Sequence, residues 1–155
     1  VLLGSFTSVL FSLIPKKKNR WVFSSWFGKR YEDNPKYFYE YCKKKEEIDA
    51  VWITKITTQV DDLRLVGVNA HYCWGIKGIY YQLTAGYCFF SHDISAEFEN
   101  CFISRTTRRC QFWHGVPLKK IGFDDDKQSF KMNFFRGKKL LRYFYNEFYT
   151  ILAVS

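Results

Sequence analysis

The chain has little of what usually announces a function. Its five cysteines (Cys42, Cys73, Cys88, Cys101, Cys110) contain no CxxC pair, and with only three histidines (His71, His92, His114) no spacing supports a metal site. An odd, scattered set of cysteines beside apolar neighbours fits reduced, buried thiols in a cytosolic setting and argues against a disulfide framework. Internal repeats, low-complexity tracts and flexible linkers are absent, which leaves one domain. No recognised nucleic-acid motif occurs. No apolar run is long enough to cross a bilayer, which takes about 20 residues. The opening apolar stretch does not read as a secretory signal, because the first positive charges follow it instead of preceding it. The first residue is Val1, not Met, so the chain reads as a fragment or as one beginning after missing residues.

What is present points to a packed, basic domain. Hydrophobic residues make up 47% of the 155 and aromatic residues 21%, which excludes disorder. A domain of this size buries roughly two-thirds of its unfolded surface. Lysine and arginine outnumber acids 24 to 15, giving a formal charge of +9. Such a field draws polyanions without choosing among nucleic acid, anionic lipid and phosphate polymers. The charge clusters at Lys16–Lys18 with Arg20, at Lys43–Lys45, at Arg105–Arg109 and across Lys119–Arg142; a merely solvated surface explains these equally well. Leu2, Leu3, Phe6, Val9, Leu10, Leu13 and Ile14 recur at helical spacing before Pro15 and the lysines. Residues 1–20 thus read as an amphipathic membrane-proximal helix with a basic collar for anionic headgroups; a helix docked on the core is the plainer reading.

From residue 21 onward the pattern alternates between strand and helix. Trp21–Ser25 (WVFSS) is β-prone and is followed by the loop Trp26–Asn34. Asn34 and Pro35 supply an N-cap and a first helical residue, and Tyr37, Phe38, Tyr41 and Cys42 share a helical face. Val51–Thr54 (VWIT) is the next strand, completing a βαβ unit and implying a parallel sheet. Leu65–Val68 is expected as a third strand, and Ile76, Ile79, Tyr80 and Leu83 as a helix with Gly86 at its C-terminal cap. Tyr87–Ser91 (YCFFS) and Cys110–Trp113 (CQFW) follow as strands, then a helix through Leu140, Leu141, Phe144 and Phe148 and an apolar end at Tyr149–Val154. The fold class is α/β, a Rossmann-like parallel-sheet domain over residues 21–155.

Such sheets carry function in the loops at the carboxyl ends of their strands. Two stand out, Trp26–Asn34 and His114–Lys120. In the second, Gly115 allows a sharp turn and close approach, and Pro117 can open a helix whose free amides face the loop and receive phosphate. That positive end disfavours imidazolium, so His114 stays neutral and able to take a proton, while Lys119 and Lys120 add charge for phosphate oxygens. On chemistry alone a structural histidine fits the segment as well. His71 and His92 have weaker contexts and read as structural. Asp33 and Asn34 either shape a cleft or merely cap the helix, Gly28 is conformational, and Asp124–Asp126 read as solvated acids.

Two segments are more specific. Trp113–Gly122 (WHGVPLKKIG) closely resembles the WHG-x-PLK motif of the CDP-glycerol glycerophosphotransferase family, the teichoic-acid primases and polymerases. Ser24–Tyr41 (SSWFGKRYEDNPKYFYEY) resembles its other early signature, and VWIT and Tyr80–Asp93 (YYQLTAGYCFFSHD) fall between the two in the right order. The resemblance implies the N-terminal, acceptor-side half of a two-domain glycosyltransferase-B-like enzyme. It implies His114 as general base, and the loop chemistry above makes Gly115, Lys119, Lys120, Gly28, Asp33 and Asn34 the candidates for holding the acceptor and its phosphate. The implied partners are CDP-glycerol or CDP-ribitol, held by a C-terminal half that this chain lacks, and a lipid-linked or polymeric teichoic-acid acceptor. Beyond that nucleotide donor no cofactor, metal or nucleic acid is expected. The expected location is peripheral, on the cytoplasmic face of the membrane, and this polypeptide alone is expected to be inactive. The competing readings are a basic, aromatic nucleic-acid-binding module and a non-catalytic membrane- or polymer-binding remnant.

Overall fold

A computed structural model of the protein describes residues 11–99, 101–104, 106–112 and 149–152. Among these, six strands form one sheet: β1 (Lys17–Phe23), β2 (Asp49–Thr54), β3 (Ala70–Tyr72), β4 (Ala85–Phe90), β5 (Arg108–Phe112) and β6 (Tyr149–Leu152). Their order is β3-β2-β1-β4-β5-β6, and every pairing is parallel. Helices α1 (Asp33–Cys42), α2 (Thr57–Leu65), α3 (Ile76–Thr84) and α4 (Ile94–Glu97) lie between the strands. The expected Rossmann-like α/β class is what the chain adopts.

β2, β4 and the second half of β1 are nearly continuous buried runs because both faces of the sheet are covered there, and successive side chains alternate between two cores. Val22, Val51, Ile53, Cys88 and Phe90 face one way, onto Ile94, Phe98 and Ile103. Phe23, Ala50, Trp52 and Phe89 face the other, onto Tyr39 and Cys42 of α1 and Leu63 of α2. In this second layer Phe23 stacks on Phe89 with centroids 4.9 Å apart, and Tyr39 meets both Phe23 and Trp52 edge-on.

Several boundaries differ from the sequence reading. β1 starts at Lys17, so Lys17–Arg20 lie within the sheet, Lys17 and Lys18 being exposed there. Arg20 is buried, binding Asp49 at 2.7 Å and the Thr84 hydroxyl at 2.6 Å between the rings of Tyr80 and Tyr81. Lys16 donates to the carbonyls of Phe11 and Leu83. With Lys17 Nζ 6.0 Å from the centre of the Tyr80 ring, three of the four collar cations contact the domain. Phe11 packs against Phe102 while Leu13 is exposed; Leu2–Leu10 lie outside the described residues.

Leu65–Val68 is not a strand. α2 ends at Leu65, and the Val68 amide returns to the Leu63 carbonyl around Gly67, a turn that leaves Leu65 and Val66 in solvent. The third strand is Ala70–Tyr72 instead. Nor does Gly86 cap a helix; it lies within β4, against β1. A Cβ there would sit 2.6 Å from the Lys17 carbonyl oxygen, so this is a close approach of two backbones. Gly86→Ala is therefore expected to lower stability by about 1–3 kcal/mol, read as a fall in the urea midpoint. The expected helix over residues 140–148 lies outside the described residues.

Candidate functional site

From β1 the chain moves to β2 and β3 on one side, whereas β4 leads to β5 and β6 on the other. Neighbouring strands whose connections leave in opposite directions open a crevice at their carboxyl ends. The site therefore lies where β1, β4 and β5 finish, and the residues leaving those strands form its walls.

After β1, Ser24 and Ser25 are buried; Ser24 donates its amide to the Phe89 carbonyl at 3.0 Å, tying the two strand exits together. Trp26, Phe27 and Gly28 then take φ of 48°, 59° and 73° in succession. Left-handed conformations in two consecutive aromatic residues are costly and persist only when their surroundings impose them. Gly28 is where they do. A Cβ on it would meet Lys55 Cγ at 2.8 Å and the Glu97 carbonyl oxygen at 2.9 Å, and its own carbonyl accepts the Lys55 amide at 2.7 Å. Gly28 thus shapes the loop. Gly28→Ala is expected to destabilise the fold by roughly 2 kcal/mol or more, combining a left-handed alanine with a backbone clash, as a thermal melt would show.

Asp33 is also left-handed, at φ 67°, and turns the chain into α1. Its Oδ1 accepts the Asn34 amide at 2.8 Å. Its Oδ2 is buried and has no hydrogen-bond partner among the described residues. The helix begins within a residue or two of the expected Asn34-Pro35 start.

The exit of β4 is built around Glu97, which is fully buried. Its Oε1 accepts the Ser91 amide at 3.1 Å, the Ser91 hydroxyl at 2.7 Å and the His92 amide at 2.7 Å, and it lies 3.2 Å from His92 Nδ1. Burial pushes the Glu97 carboxyl up to about 7, these hydrogen bonds pull the other way, and the charge of Asp33 adds to the rise. The His92 ring lies 4.5 Å from Phe27 and 5.2 Å from Trp26, and Arg30 sits over the Trp26 ring. Gln111 of β5 donates its side-chain amide to the His92 carbonyl.

Of the expected site residues, Gly28 lies in the turn after β1, and Asp33 and Asn34 open α1. His114, Gly115, Lys119 and Lys120 lie outside the described residues; Phe112, the last residue of β5, precedes His114 by two positions. His92 and Glu97 were not among the expected residues. The one available signal was that His92 follows its strand as His114 follows β5. His71, by contrast, is buried within β3, where Arg64 donates to its Nδ1 at 3.2 Å and Asn69 Oδ1 lies 3.0 Å from its Nε2. Burial lowers it to about 4, helped by Arg64 and Lys77, so it stays neutral and structural. Burial likewise pushes the Cys42 and Cys73 thiols up to about 11. A groove of about 540 Å³ lined by Arg64, His71, Ile76 and Lys77 lies beyond β3 and contains none of the expected site residues. Among the described residues no helix is long and apolar enough to cross a membrane.

Comparison with known proteins bears on which chemistry this crevice serves. The chain is 28% identical to a teichoic acid poly(glycerol phosphate) polymerase of Bacillus spizizenii, over 87% of this chain and 37% of the relative. It is 30% identical to a teichoic acid glycerol-phosphate transferase of Staphylococcus aureus, over 76% of this chain and 29% of the relative. It therefore spans about a third of the length of these relatives. Among solved structures, the wall teichoic acid polymerase TagF matches with a TM-score of 0.56 at 26% identity, over 86% of this chain and 34% of that one. A histidine-to-asparagine variant of TagF soaked with CDPG matches in fold with a TM-score of 0.57 at 24% identity, over 86% and 35%. Nothing in these likenesses favours a nucleic-acid-binding module. The family model for CDP-glycerol:poly(glycerophosphate) glycerophosphotransferases aligns with residues 6–153, which takes in the glycine loop, the β4 exit and the WHG segment alike, and the chain belongs to that family.

Proposed function

We propose that this chain is the N-terminal, acceptor-side part of a glycerophosphotransferase that moves an alditol phosphate from CDP-glycerol or CDP-ribitol to a teichoic-acid acceptor. The observation that carries this reading is the crevice at the exits of β1 and β4, where the glycine loop of one family signature packs on Ser91, His92 and Glu97. In this reading His114 takes the proton of an acceptor hydroxyl. The alcohol oxygen bonds to the β-phosphorus of the donor, and the bond to the departing CMP breaks. Lys119, Lys120 and the amides after Pro117 spread the phosphate charge, consistent with phosphoryl transfer depending mainly on positioning and electrostatics. Asp33 Oδ2, which has no hydrogen-bond partner among the described residues, suits an acceptor hydroxyl. The nucleotide would be held by a second half not contained in these 155 residues. The acceptor is a lipid-linked or polymeric polyol phosphate, met by a peripheral protein on the cytoplasmic face of an anionic membrane.

The test is CMP release from CDP-glycerol in the presence of a glycerol-phosphate oligomer. The 155-residue chain alone is expected to give none, and the full-length protein to turn over. Turnover by the short chain would refute the division of labour, and failure of the full-length protein with both CDP-glycerol and CDP-ribitol would refute the activity.

A further inference from the structure

Glu97 is an expensive residue for a purely structural place. A carboxyl with no exposed surface loses its hydration and must recover it from fixed donors. Among the described residues its side-chain hydrogen-bond partners are Ser91 and His92, the two residues leaving β4. When Glu97 is ionised it only accepts, so Ser91 Oγ donates to it and a proton on His92 Nδ1 has Ser91 Oγ at 2.8 Å and Glu97 Oε1 at 3.2 Å to point to. That assigns the neutral ring its Nδ1–H tautomer and fixes its plane, much as a carboxylate does for a catalytic or metal-bound histidine. The same residue reaches the other two exits. Its carbonyl accepts from Ser24 Oγ at 3.4 Å and lies against Gly28, behind the strained Trp26–Phe27 turn. The His92 carbonyl it helps to hold accepts from Gln111 of β5. The result is a partly exposed imidazole between two aromatic rings, one of them (Phe27) 46% exposed.

We propose that Glu97 is a positioning residue that fixes the tautomer and orientation of His92, and that His92 contacts the polyol-phosphate acceptor. This rests on the transferase reading above. His92 thereby joins His114 on the acceptor side, one leaving β4 and the other following β5, which pair in parallel.

The experiment uses the full-length protein with 15N-labelled histidine and two variants, Glu97→Gln and His92→Phe, the second keeping a ring between Trp26 and Phe27. In the wild type the His92 nitrogens are expected to report a proton on Nδ1, and their signals to shift when a glycerol-phosphate oligomer is added. Glu97→Gln is expected to change that tautomer. Both variants should raise KM for the oligomer by about tenfold or more, leave KM for CDP-glycerol within about twofold, and lower kcat less than KM rises. The proposal is overturned if the His92 signals ignore the oligomer, if the tautomer is the same in Glu97→Gln, or if both variants keep the wild-type acceptor KM. Absence of any CMP release from the wild type would sink the transferase reading instead, while the oligomer titration would still decide whether His92 meets a polyol phosphate.

Discussion

In the full-length protein, His114→Ala is expected to cut glycerophosphate transfer by about two to four orders of magnitude, the range a positioned general base supplies. The attacking group is an alcohol, a poor nucleophile until its proton leaves. Transfer from a diphosphate otherwise depends on holding the reactants in line and spreading charge, which alanine at this position does not touch. The loss should therefore fall on kcat, with KM for CDP-glycerol little changed. His114 follows the last residue of β5 by two positions, and β5 runs parallel beside β4. Its removal should leave the melting temperature within a few degrees of wild type. Turnover within about threefold of wild type would remove the histidine from the chemistry, and a large loss together with unfolding would call for His114→Gln, which keeps polarity without a comparable base.

The sheet was legible wherever a strand is long and buried on both faces. WVF, VWIT and YCFF are runs dominated by β-branched and aromatic residues and each lies in a strand, as does the more polar CQF, in which only Phe112 is buried. What failed were elements too short or too polar to carry a period. α2 buries only Val60 and Leu63, β3 is the tripeptide AHY, and α4 is one turn. Gly86 misled because a glycine after a helical stretch usually marks its end, whereas here the approach of β1 requires it. The site divides in the same way. Gly28, Asp33 and Asn34 were singled out because they follow the first strand, where topology places ligands in such sheets. His92 and Glu97 carry no local motif. Glu97 reads in sequence as one acid among 15, and only the packing of α4 beneath the β4 exit turns it into a buried carboxyl.

That burial sets the second large effect, on the pH dependence of stability. The Glu97 carboxyl is raised from an ordinary 4.5 to about 7, with burial the main cause. The folded protein therefore holds this proton more tightly than the unfolded chain does. Between those two pH values unfolding releases a proton, so the contribution of Glu97 falls as pH rises and is flat on either side. A rise of that size amounts to about 3 kcal/mol lost between pH 4.5 and 7. Other groups titrate in the same range, so the quantity to measure is the difference between wild type and Glu97→Gln in urea melts at pH 5, 6, 7 and 8. Glutamine cannot ionise, though its amide faces the Ser91 amide and costs about 1–3 kcal/mol at every pH. The wild-type advantage is thus expected to be greatest at pH 5 and to shrink steadily towards pH 7. Asp33→Asn supplies an internal control, because the Asp33 charge adds to the rise, and removing it should move the decline to lower pH. A difference independent of pH would mean that Glu97 is held as a carboxylate throughout, its bonds to Ser91 and His92 outweighing the loss of water.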